Sequence, residues 1–203
     1  CFESSETHTT IYVYISDVVD IIDYLDLWKS FSERVSTIYL PDKRRPMLPS
    51  MLSDSICSLQ KNKDRLGICF EFVYDKNNSL ETSNIYRAII NVSENFEYEE
   101  KKLIANRTFK QLLNFTQCFE NDIVNSRDVV PYWMVYTNKH CGDHLLKHKT
   151  GVYRSSQYMN KEVNQALSIS NISKKEATVI QHWNNVIGQY IYYTENHNIS
   201  HEV

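Results

Sequence analysis

The chain has 203 residues, enough to bury a real core, and 42% of them are hydrophobic, the usual share for a globular protein. Its formal charge is -3, which excludes a protein that holds nucleic acid by bulk positive charge, so any basic surface has to be local. No apolar run approaches the roughly 18 residues of a membrane-spanning helix, and four glycines and four prolines leave little room for low-complexity linkers.

Thr9 to Ser16, TTIYVYIS, alternates β-branched and aromatic residues and predicts a strand ending at Asp17. The next segment places Val18, Ile21, Ile22, Leu25, Trp28 and Phe31 on a helical stripe, although Asp20, Asp23 and Asp26 allow a loop in its first part. A short strand over Ser36 to Leu40 enters a loop with three prolines in close succession. Residues 49–59 look helical at their start. Residues 65–75 and 79–94 predict two antiparallel strands joined by the turn DKNNS. Residues 95–120 predict one helix, with Glu97, Glu99 and Glu100 at its start and basic residues later, as the helix dipole prefers. Residues 125–149 predict a second long helix that kinks or begins at Pro131. A strand over 151–156, a helix over 173–187 and a last strand over 189–194 complete an α+β chain with a mixed or antiparallel sheet flanked by helices.

Three constellations could carry chemistry. His140, His144 and His148 share one helical face beside Cys141, but no glutamate follows the first histidine, and a dipole-complementing basic helix end explains them better than zinc. Asp17, Asp20, Asp23 and Asp26 could gather around Mg²⁺, yet such spacing more often marks a wet helix face. The third is the proline-rich loop. Tyr39 ends a strand, Pro41 fixes the turn, and Lys43, Arg44 and Arg45 follow. An aromatic face beside positive charge is the minimal kit for single-stranded nucleic acid, although a core tyrosine next to a solvated turn would give the same pattern. No Gly-x-Ser-x-Gly elbow or glycine-rich phosphate loop is present, so an ordinary hydrolase or nucleotide-triphosphate enzyme is unsupported.

The stretch Thr-x-Tyr-Leu-Pro-x-x-x-x-Pro-Met-Leu-Pro (37–49), followed by LSDSICSL (52–59) and DRLGICFEF (64–72), resembles the RNB-type catalytic domain of the ribonuclease II / ribonuclease R exoribonucleases. VYISDV (13–18), INVSENFEYEE (90–100), RDVVPYWMVYTN (127–138) and GVYRS (151–155) extend the likeness in register. The resemblance implies a 3′-to-5′ hydrolytic exoribonuclease that acts on the 3′ end of single-stranded RNA, releases 5′-nucleoside monophosphates and uses Mg²⁺. It implies that Tyr39 stacks on the terminal nucleotide, that Tyr98 lies beside the RNA path, and that Arg154 contacts phosphate. Lys43, Arg44 and Arg45 join them as candidate RNA-binding residues, and Asp17 is read as structural. The family's Asp-x-Asp-Asp metal motif would fall just before Cys1, and its Ser-Pro-Ile-Arg motif after the last residue. Pro131 and Tyr132 stand where the family has Glu-Glu.

The expectation is therefore that residues 1–203 are the central portion of a single RNB-type domain. No catalytic or metal-binding residue falls within it. Mg²⁺ is held by aspartates outside it, so the chain alone is inactive and works with the remaining parts of the same nuclease domain. A catalytically dead RNB fold serving as an RNA-binding or structural scaffold is the alternative. Five unpatterned cysteines and no secretory leader place the protein inside a cell, cytoplasmic or viral or organellar, with no membrane partner.

Overall fold

The computed structural model describes residues 1–31, 37–155 and 189–193. The chain divides into two compact units, Cys1–Trp133 and Met134–Val203. The helix expected over 173–187 lies outside the described residues.

The first unit is built on an antiparallel sheet in the order β1-β2-β5-β6, with β1 at Phe2–Ser4, β2 at Thr9–Ser16, β5 at Asp64–Tyr74 and β6 at Leu80–Asn91. β5 and β6 form the expected hairpin. Asp75 Oδ1 accepts from the amides of Asn77 (2.8 Å) and Ser79 (2.7 Å), and Asn78 takes the left-handed conformation (φ 59°) that asparagine tolerates well. β1 has no counterpart in the sequence reading. Three residues are too few to show a period, and its pairing with β2 makes the strand.

Two clusters bury the apolar residues. On one face of the sheet, Ile11, Phe70, Phe72 and Tyr74 belong to the core with Phe115, Ile123, Val129 and Trp133. The Tyr74 ring meets Phe115 edge-on at 5.2 Å and Trp133 at 6.2 Å. The second cluster joins Ile22, Leu48, Leu52 and Cys57, with Val18, Ile21 and Leu27 packed against it.

Two expectations are corrected and two are made definite. The stripe after Asp17 gives two short helices, α1 (Val18–Tyr24) and α2 (Trp28–Phe31), because Asp26 turns left-handed (φ 49°) between them. Residues 51–56 form a π-helical turn in place of an α-helix. The single helix over 95–120 is instead α3 (Lys101–Ala105) and α4 (Arg107–Gln117). Asn106 stands between them in extended conformation, and its side chain accepts from the Phe109 amide at 3.0 Å, so a new N-cap interrupts the helix. The long helix α5 runs over Ser126–Lys147 and starts ahead of Pro131, which lies inside it.

In the second unit, β7 (Val152–Ser155) pairs antiparallel with β8 (Gln189–Tyr192). Tyr153 is wholly buried, and its hydroxyl donates to the Thr150 carbonyl at 2.6 Å.

Candidate nucleic-acid interface

The proline-rich loop folds as a small hairpin. β3 (Ile38–Tyr39) pairs with β4 (Arg44–Arg45), so Tyr39 stands directly across from Arg44 and Ile38 from Arg45. The Leu40 amide donates to the Lys43 carbonyl at 2.8 Å and closes the turn. The Pro-Met-Leu-Pro segment then divides its labour. Leu48 is buried in the cluster with Ile22, Leu52 and Cys57, while the Met47 amide donates to Thr37 Oγ1 at 3.1 Å. The Pro49 carbonyl receives the amides of Leu52 and Ser53, both at 2.9 Å, and starts the π-helical turn. The hairpin is thereby fixed at its base and free at its tip.

At that tip Tyr39 is 77% exposed, and Lys43, Arg44 and Arg45 are exposed beside it. Ile38, Leu40, Met47 and Met51 add exposed apolar surface. The charge is not all available. The Arg44 guanidinium lies 2.5 Å from Asp54 Oδ1, and Lys43 Nζ lies 4.0 Å from Asp42. The sequence reading missed Asp54; only the π-helical turn brings it back to the hairpin.

Tyr98 precedes α3, in a turn. It is half-exposed, and the Arg127 guanidinium sits over its ring at 5.5 Å from the centroid. The next residue, Glu99, takes a left-handed conformation (φ 59°) and reaches the start of α5. Its Oε1 accepts from the Ser126 amide at 3.1 Å and from the Ser126 hydroxyl, and its own amide donates to Ser126 Oγ at 3.1 Å. Because Ser126 is buried, Glu99→Ala should lower stability by about 1–3 kcal/mol through lost bonds to a charged acceptor. A thermal melt checks this, and an unchanged midpoint would show the tether to be idle. Arg154 lies on β7, in the second unit, and its backbone pairs with Tyr190 of β8.

The aspartates after β2 do not gather around an ion site. Asp17 is buried and caps α1, and its Oδ2 lies 3.1 Å from Arg87 Nε. Arg87 Nη2 also reaches Asp20 Oδ1 at 2.8 Å, and the Trp28 indole donates to Asp23. The histidines in and just after α5 pair with rings: His140 lies 4.7 Å from Tyr136, and His144 lies 4.6 Å from His148. Burial pushes the His140 pKa down. Among the described residues no group of three or more His, Cys, Asp or Glu side chains could hold a metal ion, and no helix is long and apolar enough to cross a membrane.

The profile of the RNB domain matches residues 1–114, more than half of the chain. The chain belongs to the RNB domain family. Curated relatives include ribonuclease R of Chlamydia pneumoniae, 33% identical over 97 residues (46% of this chain and 14% of that protein). The mouse exosome complex exonuclease RRP44 is 32% identical over 108 residues, covering 51% of this chain and 11% of the relative. Among solved structures, Mycoplasma genitalium RNase R in complex with double-stranded RNA superposes with a TM-score of 0.71 at 20% identity, over 85% of this chain and 40% of that one. An active-site mutant of the Dss1 exoribonuclease from Candida glabrata gives 0.59 at 16% identity, over 94% of this chain and 34% of that one. The chain thus spans well under two thirds of each of these RNB proteins. Its α+β fold with an antiparallel sheet is the fold of this family, as the sequence motifs implied.

Proposed function

We propose that this chain is the central part of a 3′-to-5′ hydrolytic exoribonuclease that takes the 3′ end of single-stranded RNA and releases 5′-nucleoside monophosphates. The observation that carries the reading is Tyr39, an aromatic ring held out at a hairpin tip at 77% exposure with cations around it. Such a ring offers its face to a base, while Lys43 and Arg45 face the phosphates and Arg44 stays tied to Asp54. Tyr98, with Arg127 over its ring, and Arg154 are proposed as further RNA contacts.

Asp17 and Asp20 already answer to Arg87, so the described carboxylates do not fit a magnesium site. The Mg²⁺ of the proposed hydrolysis is held by aspartates other than these, supplied with the remaining parts of the same nuclease domain. All five cysteines are free thiols, which supports a reducing compartment inside a cell, cytoplasmic, viral or organellar.

The activity is tested by incubating the longer protein that contains this chain with Mg²⁺ and an end-labelled RNA bearing a 3′ overhang. A ladder of shortened products is expected. RNA bound tightly but left intact would overturn the enzyme reading in favour of an RNA-binding scaffold. Tyr39→Ala should weaken single-stranded RNA binding by about 1–3 kcal/mol, the worth of one stacked base. Unchanged affinity in a filter-binding titration would remove Tyr39 from the RNA path.

A further inference from the structure

The sheet has a second face that the RNA reading does not use. Strand alternation turns Ile11, Phe70 and Phe72 toward the core. On the opposite face, Tyr14, Cys69 and Tyr86 form one cross-strand row, and Tyr12, Glu71 and Asn84 form the next. Cys69 is wholly buried within its row, whereas Tyr86 is 42% exposed. The Tyr12 and Tyr14 rings lie nearly parallel, 6.2 Å between centroids and 11° between planes. The face thus presents phenol rings in a fixed array on rigid strands.

It is also acidic. The Tyr12 hydroxyl donates to Glu3 Oε2 at 3.5 Å, and Glu71 Oε2 accepts from Asn84 Nδ2 at 2.8 Å. Burial, followed by these two carboxylates, pushes the Tyr12 phenol pKa up. Burial and the neighbouring Cys69 thiol push that of Tyr14 up to about 12, so the rings stay neutral. The cation that β5 places on this face is Arg65. Its guanidinium is occupied by the carbonyls of Ser58 (3.0 Å), Asp64 (2.9 Å) and Ser55 (3.1 Å). Alternation sends Arg87 of β6 to the other side. The Cys1 ammonium, which donates to the Tyr12 carbonyl at 2.6 Å, lies near Glu3, but no cationic side chain of the sheet answers Glu71 among the three tyrosines.

We propose that this tyrosine–carboxylate face docks an arginine-bearing peptide segment of a partner protein. A guanidinium is flat, so it stacks on a phenol ring, and its edge donates to a carboxylate at the same time. Lysine offers a point charge and no plane. RNA is the disfavoured occupant, because its phosphates would lie against Glu3 and Glu71.

The test is fluorescence anisotropy with the longer protein that contains this chain and three labelled probes: an alternating Gly-Arg octapeptide, the matching Gly-Lys octapeptide, and oligouridylate. The Gly-Arg peptide should bind saturably and about fivefold or more tighter than the Gly-Lys peptide. Glu3→Gln with Glu71→Gln should weaken it about tenfold, and Tyr86→Ser should weaken it by a similar factor. The glutamine variants keep the size of each side chain and the Asn84 contact, so a loss of folding cannot mimic the result; a circular dichroism melt verifies this. Tyr39→Ala should leave the peptide affinity unchanged, which separates this face from the RNA site. The proposal is overturned by absence of saturable binding, by equal affinity for the two peptides, by indifference to the glutamine variants, or by loss of oligouridylate binding in Tyr86→Ser.

Discussion

Trp133→Ala is expected to remove about 3–5 kcal/mol of folding stability, the usual cost of truncating a buried tryptophan. Trp133 lies at the centre of the main core, 5% exposed, against Phe72, Tyr74, Phe119 and Tyr132. Its indole N–H donates to Thr116 Oγ1 at 3.0 Å, and the wholly buried Thr116 hydroxyl passes its own proton toward the Leu112 carbonyl at 2.7 Å. The ring thus ties the first turns of α5 to both α4 and the sheet. Trp133→Phe keeps most of the apolar volume but drops the indole donor, and should cost less, about 1–3 kcal/mol. Urea unfolding followed by circular dichroism measures both. A midpoint for Trp133→Ala within error of the parent would contradict the placement of this ring.

Arg87→Ala carries the second large effect, about 2–3 kcal/mol. Removing one partner of a buried ion pair ordinarily costs about 3–5 kcal/mol, because the remaining charge stays buried without compensation. Asp17 is 2% exposed and fits that case. The Arg87 side chain is 64% exposed, so water screens part of the interaction and the figure is reduced. The double variant Asp17→Asn with Arg87→Ala should be more stable than Arg87→Ala alone, since no unpaired carboxylate is left behind. Additive losses in that double-mutant cycle would show that the two groups do not interact.

The strands were the most legible part of this chain. Long alternating runs such as TTIYVYIS and RLGICFEFVY bury one face and leave no choice of period, so the sequence placed β2 and β5 within a residue and β6 within three. The helices were harder because single polar residues decided their ends. Asn106 looks like an ordinary helix-surface residue until its side chain is seen capping a new helix, and Asp26 has no local mark of its left-handed backbone. Family motifs pointed to the Tyr39 loop, but not to its pairing with β4 or to the Arg44–Asp54 pair, which depends on how Leu48 and Leu52 seat the intervening turn. The Glu99–Ser126 tether was out of reach for the same reason: it joins residues far apart in the chain that no short pattern connects.

Arg87 has one more consequence, which follows from its address. Among the described residues β6 is the outermost strand of the four-stranded sheet, so its far rim presents a row of backbone donors and acceptors. Proteins commonly guard such rims with charged side chains. The Arg87 guanidinium, held by Asp17 and Asp20, fastens this outer strand to the start of α1. Its loss would free the edge strand from the β2–α1 junction.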